Sequence, residues 1–298
     1  MTAPGGIVWL ASFPKSGNTW LRIFLANLRA KNAGPIDINT LFEYGSIASS
    51  RVEFEAETLL DSGLLSHDDI DSLRPCVYRT MAAQSDELRW IKVHDAYTET
   101  VEGEPLLGRN TARAAIYLVR DPRDVAISLA FHINASVDEA IELMNAPDGA
   151  LCLPRDGLMP QLRQKLTGWS GHVRSWLEQT DVAVHMTRYE DLVADPFAGF
   201  GAMLRFVEIS ATTEEIEHAV RSAQFAELQR QESESGFRER ISLAAPFFRT
   251  GGIGGWRAVL TPEQVREIER CHGAVMARLG YELQAFAARG EPDSPKGP

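Results

Sequence analysis

Four short apolar runs, each followed by a longer stretch of helical periodicity, constrain this chain more than any other feature. They are Ile7 to Ala11, Arg89 to His94, Ala114 to Arg120 and Val182 to Thr187. Strands that alternate with helices pair in parallel, since a helical crossover returns the chain to the same end of the sheet. The run AAIYLVR shows no apolar–polar alternation, the pattern of a strand covered on both faces. The fold class is therefore α/β, one domain with a central parallel sheet flanked by helices. Helix starts are marked at Asp121-Pro122-Arg123-Asp124, Thr212-Thr213-Glu214-Glu215 and Thr261-Pro262-Glu263-Gln264, each with a capping side chain and a first-turn carboxylate or amide. Asp121 and Asp124 both read as capping carboxylates, and Gly280 reads as the residue that stops the last helix. The domain is expected over 1–289, with a disordered polar tail over 290–298. Residues 32–88 and 134–165 carry the weakest strand signals and are expected to be substrate-facing loops or lids. Trp169 and Trp176, seven apart, read as core.

Charge narrows the range of partners. The 41 acidic and 30 basic residues leave a formal net charge of −11 over 298 residues. That excludes general electrostatic attraction to nucleic acid or to an anionic membrane surface, and leaves room for a local basic pocket. Cys76, Cys152 and Cys271 are far apart and odd in number, as expected of reduced thiols in a cytoplasmic protein. No basic residue precedes Lys15 and no apolar run reaches the ~18 residues of a membrane span, so neither a signal peptide nor a membrane segment is expected. Arginine far outnumbers lysine, which suits bidentate oxyanion contacts and is equally what a GC-rich bacterial genome produces.

The segment Phe13-Pro14-Lys15-Ser16-Gly17-Asn18-Thr19-Trp20 joins the first strand to an apolar helix. Such a turn aims backbone N–H groups and the positive helix end at one spot. Lys15 adds a point charge, Ser16 and Thr19 add hydroxyls, Gly17 permits close approach, and Trp20 offers a ring face. An ordinary βα loop with a surface lysine is the plain alternative. The order is not GxxxxGK[ST], since Lys15 precedes Gly17. His94 lies one residue past a strand end, on the same face as Lys92 by alternation, and suits a general base. Arg120 ends the third strand, and Ser128 lies two turns into the next helix. The run Arg249-Thr250-Gly251-Gly252-Ile253-Gly254-Gly255-Trp256-Arg257 is glycine-rich, with Arg249 as a bidentate phosphate donor.

In this order the segments resemble those of the cytosolic sulfotransferases, which take a sulfuryl group from 3′-phosphoadenylyl sulfate (PAPS). PKSGNTW is similar to the family's 5′-phosphosulfate loop, RDPRDVAIS to its 3′-phosphate element, IKVH to its K-[TS]-H, and RTGGIGGWR to its R-K-G-x-x-G-D-W-K loop. The resemblance implies a P-loop-like phosphosulfate-binding loop, with Lys15, Ser16, Gly17, Asn18, Thr19, Trp20, Arg120, Ser128, Arg249, Thr250 and Gly251 at the nucleotide. It also implies Tyr189 and Phe225 near the adenine, although Phe225 is equally a core contact. His94 would be the base, with Lys15 and Lys92 stabilising charge and no metal required. Thr250 stands where the family has lysine and Gly255 where it has aspartate, so a cationic contact is missing and the loop is expected to order less firmly. The family's dimer motif is matched at Arg257 and Thr261 but not at Pro262 or Glu267, so the oligomeric state stays open. The acidity of the chain points to a small neutral or cationic acceptor with a hydroxyl or amine, such as a phenol, a lipid alcohol or an antibiotic-like metabolite. Two alternatives remain, a P-loop-type kinase on a small hydroxylated substrate and a decayed nucleotide-binding module.

Overall fold

Five strands pair in parallel in the order β2-β3-β1-β4-β7, and β1 lies at the centre of this sheet. They are β1 (Gly6–Ser12), β2 (Ser46–Ile47), β3 (Leu88–Val93), β4 (Ala112–Val119) and β7 (Val184–Arg188), and β5 (Ala150–Leu151) and β6 (Gln164–Lys165) form a separate antiparallel pair. The computed structural model describes residues 6–31, 34–84, 87–153, 159–240 and 246–284. The expected tail over 290–298 lies outside the described residues.

The helices are α1 (Asn18–Ala30), α2 (Arg51–Thr58), α3 (His67–Ala83), α4 (Pro122–Ile133), α5 (Val137–Asn145) and α6 (Gly168–Glu178). They continue with α7 (Tyr189–Ala194), α8 (Pro196–Phe206), α9 (Thr213–Ser222), α10 (Phe225–Ser235) and α11 (Pro262–Arg278). Alternation along β1 divides the core. Ile7, Trp9 and Ala11 face a cluster built with residues of α3, α4, α6 and α11, and Val8 and Leu10 face α1, α8 and α9. Every residue of β1 is buried, as a strand covered on both faces requires. Trp169 and Trp176 are fully buried, as their spacing predicts.

Strands and caps follow the sequence closely. Each predicted strand shifts by one or two residues at its ends, and His94 lies one residue past β3. Asp121, Thr212 and Thr261 cap α4, α9 and α11 with their side chains, and Gly280 at φ +79° follows α11 with Tyr281 N–H donating to the Met276 carbonyl. The expectation of loops over 32–88 and 134–165 is corrected. These stretches hold α2, α3, α5, the edge strand β2 and the β5–β6 pair, so their weak strand signal reflected helix rather than loop. Helix α3 runs through Pro75, a residue that usually ends one. Its start is secured by a capping box between Ser66 and Asp69.

Helix α3 supports the end of β3. Arg74 is buried and donates to both oxygens of Asp95, at 3.1 and 2.6 Å. Asp95 also accepts from Lys165 N–H at 2.9 Å, and its carbonyl accepts from Trp176 Nε1 at 3.0 Å. The residue after His94 is thus pinned from three directions. Removing one partner of so buried a pair leaves an uncompensated charge. We expect Arg74→Met to destabilise the chain by about 3–5 kcal/mol in urea unfolding, with an unchanged denaturant slope.

Candidate active site

The carboxyl ends of β1, β3 and β4 lie side by side, and each delivers a candidate residue. In an open parallel sheet this edge is where ligands bind. After β1 the chain turns through Lys15 at φ +69° and Gly17 at φ +103° before entering α1. The left-handed turn at Gly17 is closed by an aromatic ring: a Cβ there would lie 2.7 Å from Tyr189 Cδ2. No side chain caps α1, whereas Ser66, Ser136, Thr212 and Thr261 cap their helices. Ser16 Oγ is buried and has no hydrogen-bond partner among the described residues. An uncapped helix start beside an orphaned buried hydroxyl fits an oxyanion at this loop. The Asn18 side-chain amide donates to the Leu10 carbonyl at 2.7 Å and to Ser12 Oγ at 3.2 Å, so it ties the helix start to β1. Thr19 is part-buried in the first turn of α1.

One backbone contact of the ring settles the tautomer of His94. Its Nδ1 is 2.8 Å from the Ser12 carbonyl oxygen, which can only accept, so Nδ1 carries the proton and Nε2 keeps its lone pair. The His94 carbonyl accepts from His172 Nε2 at 3.1 Å, and His172 Nδ1 accepts from the Tyr117 hydroxyl at 2.8 Å. Burial first, and the Lys92 ammonium second, hold the His94 imidazole well below its usual range. It is neutral at pH 7 and able to accept a proton.

The two lysines are placed differently. Lys15 Nζ sits 3.9 Å above the Phe247 ring and forms no ion pair among the described residues. Burial, then Lys92 and Arg120, bring its amine down to about 7. Lys92 is buried and pairs with Glu239 at 3.4 Å, and Glu239 is held by Arg22 of α1 at 2.7 Å. His132 belongs to the same group: burial, then Lys15 and Lys92, bring it down to about 3, and its ring lies edge-on to Phe247. The position of His132 one helical turn after Ser128 was the available signal. Glu239 lies 147 residues from Lys92 and carries no local signal at all.

Arg120 joins the first loop to the glycine-rich one. It donates to the Lys15 carbonyl at 3.2 Å and the Gly252 carbonyl at 2.7 Å, and its guanidinium lies 4.5 Å from the Tyr189 ring. Tyr189 donates to the Gly251 carbonyl at 2.6 Å, and Trp20 meets the Tyr189 ring edge-on. Gly251, at φ +58°, is the second obligatory glycine: a Cβ there would lie 2.6 Å from Phe225. Phe225, part-buried, thus packs on the loop as well as against the second core cluster. Asp124 is not a helix cap. Its carboxylate accepts from Gly254 N–H at 2.7 Å and Trp256 N–H at 2.9 Å. With these bonds the loop is tied down without the family's aspartate at position 255. Arg249 lies 4.3 Å over the ring of Phe131, three residues after Ser128 on α4, and Thr250 is exposed. The structure thus brings Lys15, Ser16, Gly17, Tyr189, Phe225, Arg120 and Gly251 into one cluster, with His94 and Lys92 beside it and Arg249 over Phe131 of α4.

The sulfotransferase domain family model matches residues 6–280. The chain belongs to this family. Among its relatives, an amine sulfotransferase of Oryctolagus cuniculus is 28% identical over 174 residues, 54% of this chain and 54% of the relative. Against that relative the sulfotransferase-family chain spans about half the length. A flavonol 3-sulfotransferase of Flaveria bidentis is 22% identical over 290 residues, 93% of this chain and 84% of the relative. Among solved structures, mouse sulfotransferase SULT7A1 complexed with PAP superposes with a TM-score of 0.59 at 21% identity, covering 95% of this chain and 88% of that one. At that identity the superposition establishes the shared fold. No helix among the described residues is long and apolar enough to cross a membrane.

The depressed Lys15 amine makes anion binding depend on pH. Below about pH 7 it is charged, above that it is neutral, and an anion binds the charged form and raises its pKa. Binding of adenosine 3′,5′-bisphosphate above pH 7 should take up a proton. Its affinity should then fall by up to about tenfold per pH unit, read by calorimetry in buffers of different ionisation enthalpy. An affinity unchanged between pH 7 and 9 would assign Lys15 elsewhere.

Proposed function

We propose that this chain moves a sulfuryl group from PAPS to a hydroxyl or amine of a small acceptor. The observation that carries the reading is the juxtaposition at one sheet edge of Lys15, which forms no ion pair among the described residues, and His94, whose Nε2 keeps its lone pair. A phosphosulfate at the 13–19 loop would meet Ser16 Oγ, the uncapped start of α1 and the Lys15 ammonium. Arg120, Ser128 and Arg249 suit the 3′-phosphate, and Tyr189, Phe225 and Trp20 offer ring faces to the base.

In the step proposed, the acceptor oxygen or nitrogen forms a bond to sulfur as the bond from sulfur to the bridging phosphate oxygen breaks. The acceptor proton passes to His94 Nε2, and the electron pair leaves on the phosphate oxygen. Lys15 meets the charge that develops there, where a fixed cation in a desolvated site is most effective. His172 and Asp95 hold the His94 peptide so that Nε2 faces the acceptor. The small-molecule acceptor, with a neutral or cationic body, and a reducing, cytoplasmic setting with three free thiols belong to the same reading. Residues 1–289 are read as the domain.

Thermal unfolding with adenosine 3′,5′-bisphosphate, ADP or ATP, each with and without Mg²⁺, tests the donor site. A ligand at a hundredfold excess over its Kd adds about 2.7 kcal/mol, so a metal-independent preference for the 3′-phosphorylated nucleotide is expected. Preference for Mg·ATP would overturn the reading in favour of a kinase. His94→Ala should keep that stabilisation and lose about 10²–10⁴ in kcat, measured as release of the bisphosphate. A variant with undiminished turnover would remove His94 as the base.

A further inference from the structure

Lys92 and Lys15 lie within electrostatic reach of each other, and among the described residues Lys92 forms an ion pair whereas Lys15 forms none. Glu239 meets Lys92 at 3.4 Å and takes both Nη atoms of Arg22, at 2.8 and 2.7 Å. The three groups come from three parts of the fold: Lys92 from β3, Arg22 from the second turn of α1, and Glu239 from the segment after α10. That segment is anchored independently. Asn39 accepts from Arg238 N–H at 2.8 Å and donates to the Gly236 carbonyl at 3.2 Å. Phe237 packs on Phe247, the ring that carries the Lys15 ammonium, with centroids 4.8 Å apart. The carboxylate is therefore delivered by a braced piece of chain.

We propose that Glu239 is a positioning residue that holds the Lys92 ammonium charged and in place at the end of β3, and so leaves Lys15 as the lysine that meets the donor. For its consequence in turnover the inference rests on the sulfotransferase reading of the site. The groups facing Lys92 are Glu239, Arg22 of α1, Cys152 beside β5, Lys15 of the first loop, and the neutral imidazoles of His94 and His132. Glu239 is the carboxylate in that set. Burial, the largest influence, and Arg22 bring the Lys92 amine below its ordinary value, and Glu239 opposes them. Arg22 and Lys92 in turn hold the Glu239 carboxyl down at about 2, so it is ionised wherever the protein is folded near neutral pH.

The test reads Lys92 directly and needs no ligand. The chain has five lysines, Lys15, Lys31, Lys92, Lys165 and Lys296, few enough for each side-chain carbon to be followed by NMR with ¹³C-labelled lysine. Lys92→Met assigns the signal. In the native chain Lys92 should titrate at higher pH than Lys15. In Glu239→Gln it should lose its proton at least one pH unit lower than in the native chain, a tenfold change in the equilibrium, and Glu239→Asp should restore part of the shift. A native Lys92 that titrates no higher than Lys15, or one whose titration is the same in Glu239→Gln, overturns the inference. The native measurement decides even if the glutamine variant fails to fold. In turnover of PAPS, Glu239→Gln should lie within about twofold of the native chain at pH 6 and fall about tenfold behind it by pH 9. A loss equal at every pH would mark a merely structural role and overturn the catalytic consequence. Absence of bisphosphate binding by the native chain would instead remove the donor reading while the Lys92 titration stood.

Discussion

Two ammonium groups buried within reach of each other at neighbouring strand ends are the constraint around which this site is arranged. Each loses its water, and each raises the cost of charging the other. The fold answers the two costs differently. Lys92 receives a carboxylate that Arg22 holds in turn, so that pair is largely balanced within the chain. Lys15 receives the face of Phe247, a weaker attraction than an ion pair, and stays close to losing its proton at neutral pH. An anion entering the first loop therefore meets a cation with an unsatisfied electrostatic cost. Net charge of −11 on the whole chain does not oppose this, since the basic groups are gathered at one sheet edge and shielded within it.

The same edge holds the His94 imidazole still. His94 lies one residue beyond β3, where alternation ends and nothing in the strand itself fixes its side chain. Its orientation comes from the Ser12 carbonyl at Nδ1. Its peptide is fixed by His172 through the His94 carbonyl and by Arg74 through Asp95. These partners come from β1, α6 and α3, so the geometry of one imidazole draws on elements far apart in sequence. The glycine-rich loop is secured in the same manner, by Arg120, Asp124 and Tyr189.

Much of this was legible in the residues. The apolar runs gave the central strands to within a residue or two. The Asp-Pro, Thr-x-x-Glu and Thr-Pro-x-Gln patterns gave the helix starts, because a cap is a local hydrogen bond between residues two or three apart. The strand–loop–helix at Lys15 was legible for the same reason: backbone N–H groups converge wherever a strand turns tightly into a helix. Helix α3 was missed because Pro75 and a weak strand signal together resemble a loop, whereas burial of Ile70, Val77, Tyr78 and Met81 and the Arg74–Asp95 pair hold a helix there. Asp124 was read as a cap because its sequence neighbours make it one, whereas its true partners lie 130 residues away.

What the sequence by itself determined was the four central strands, the caps of three helices, the tight strand-to-helix turn at Lys15 and the presence of a histidine at a strand end. All of these depend on residues within a few positions of one another. What the tertiary structure alone decided was the charge state and company of those residues: which lysine is paired, which nitrogen of His94 is free, and that His132 and Glu239 belong to the site. Burial and Coulomb interaction act through space, and the groups that set them here are brought together by the sheet rather than by the chain.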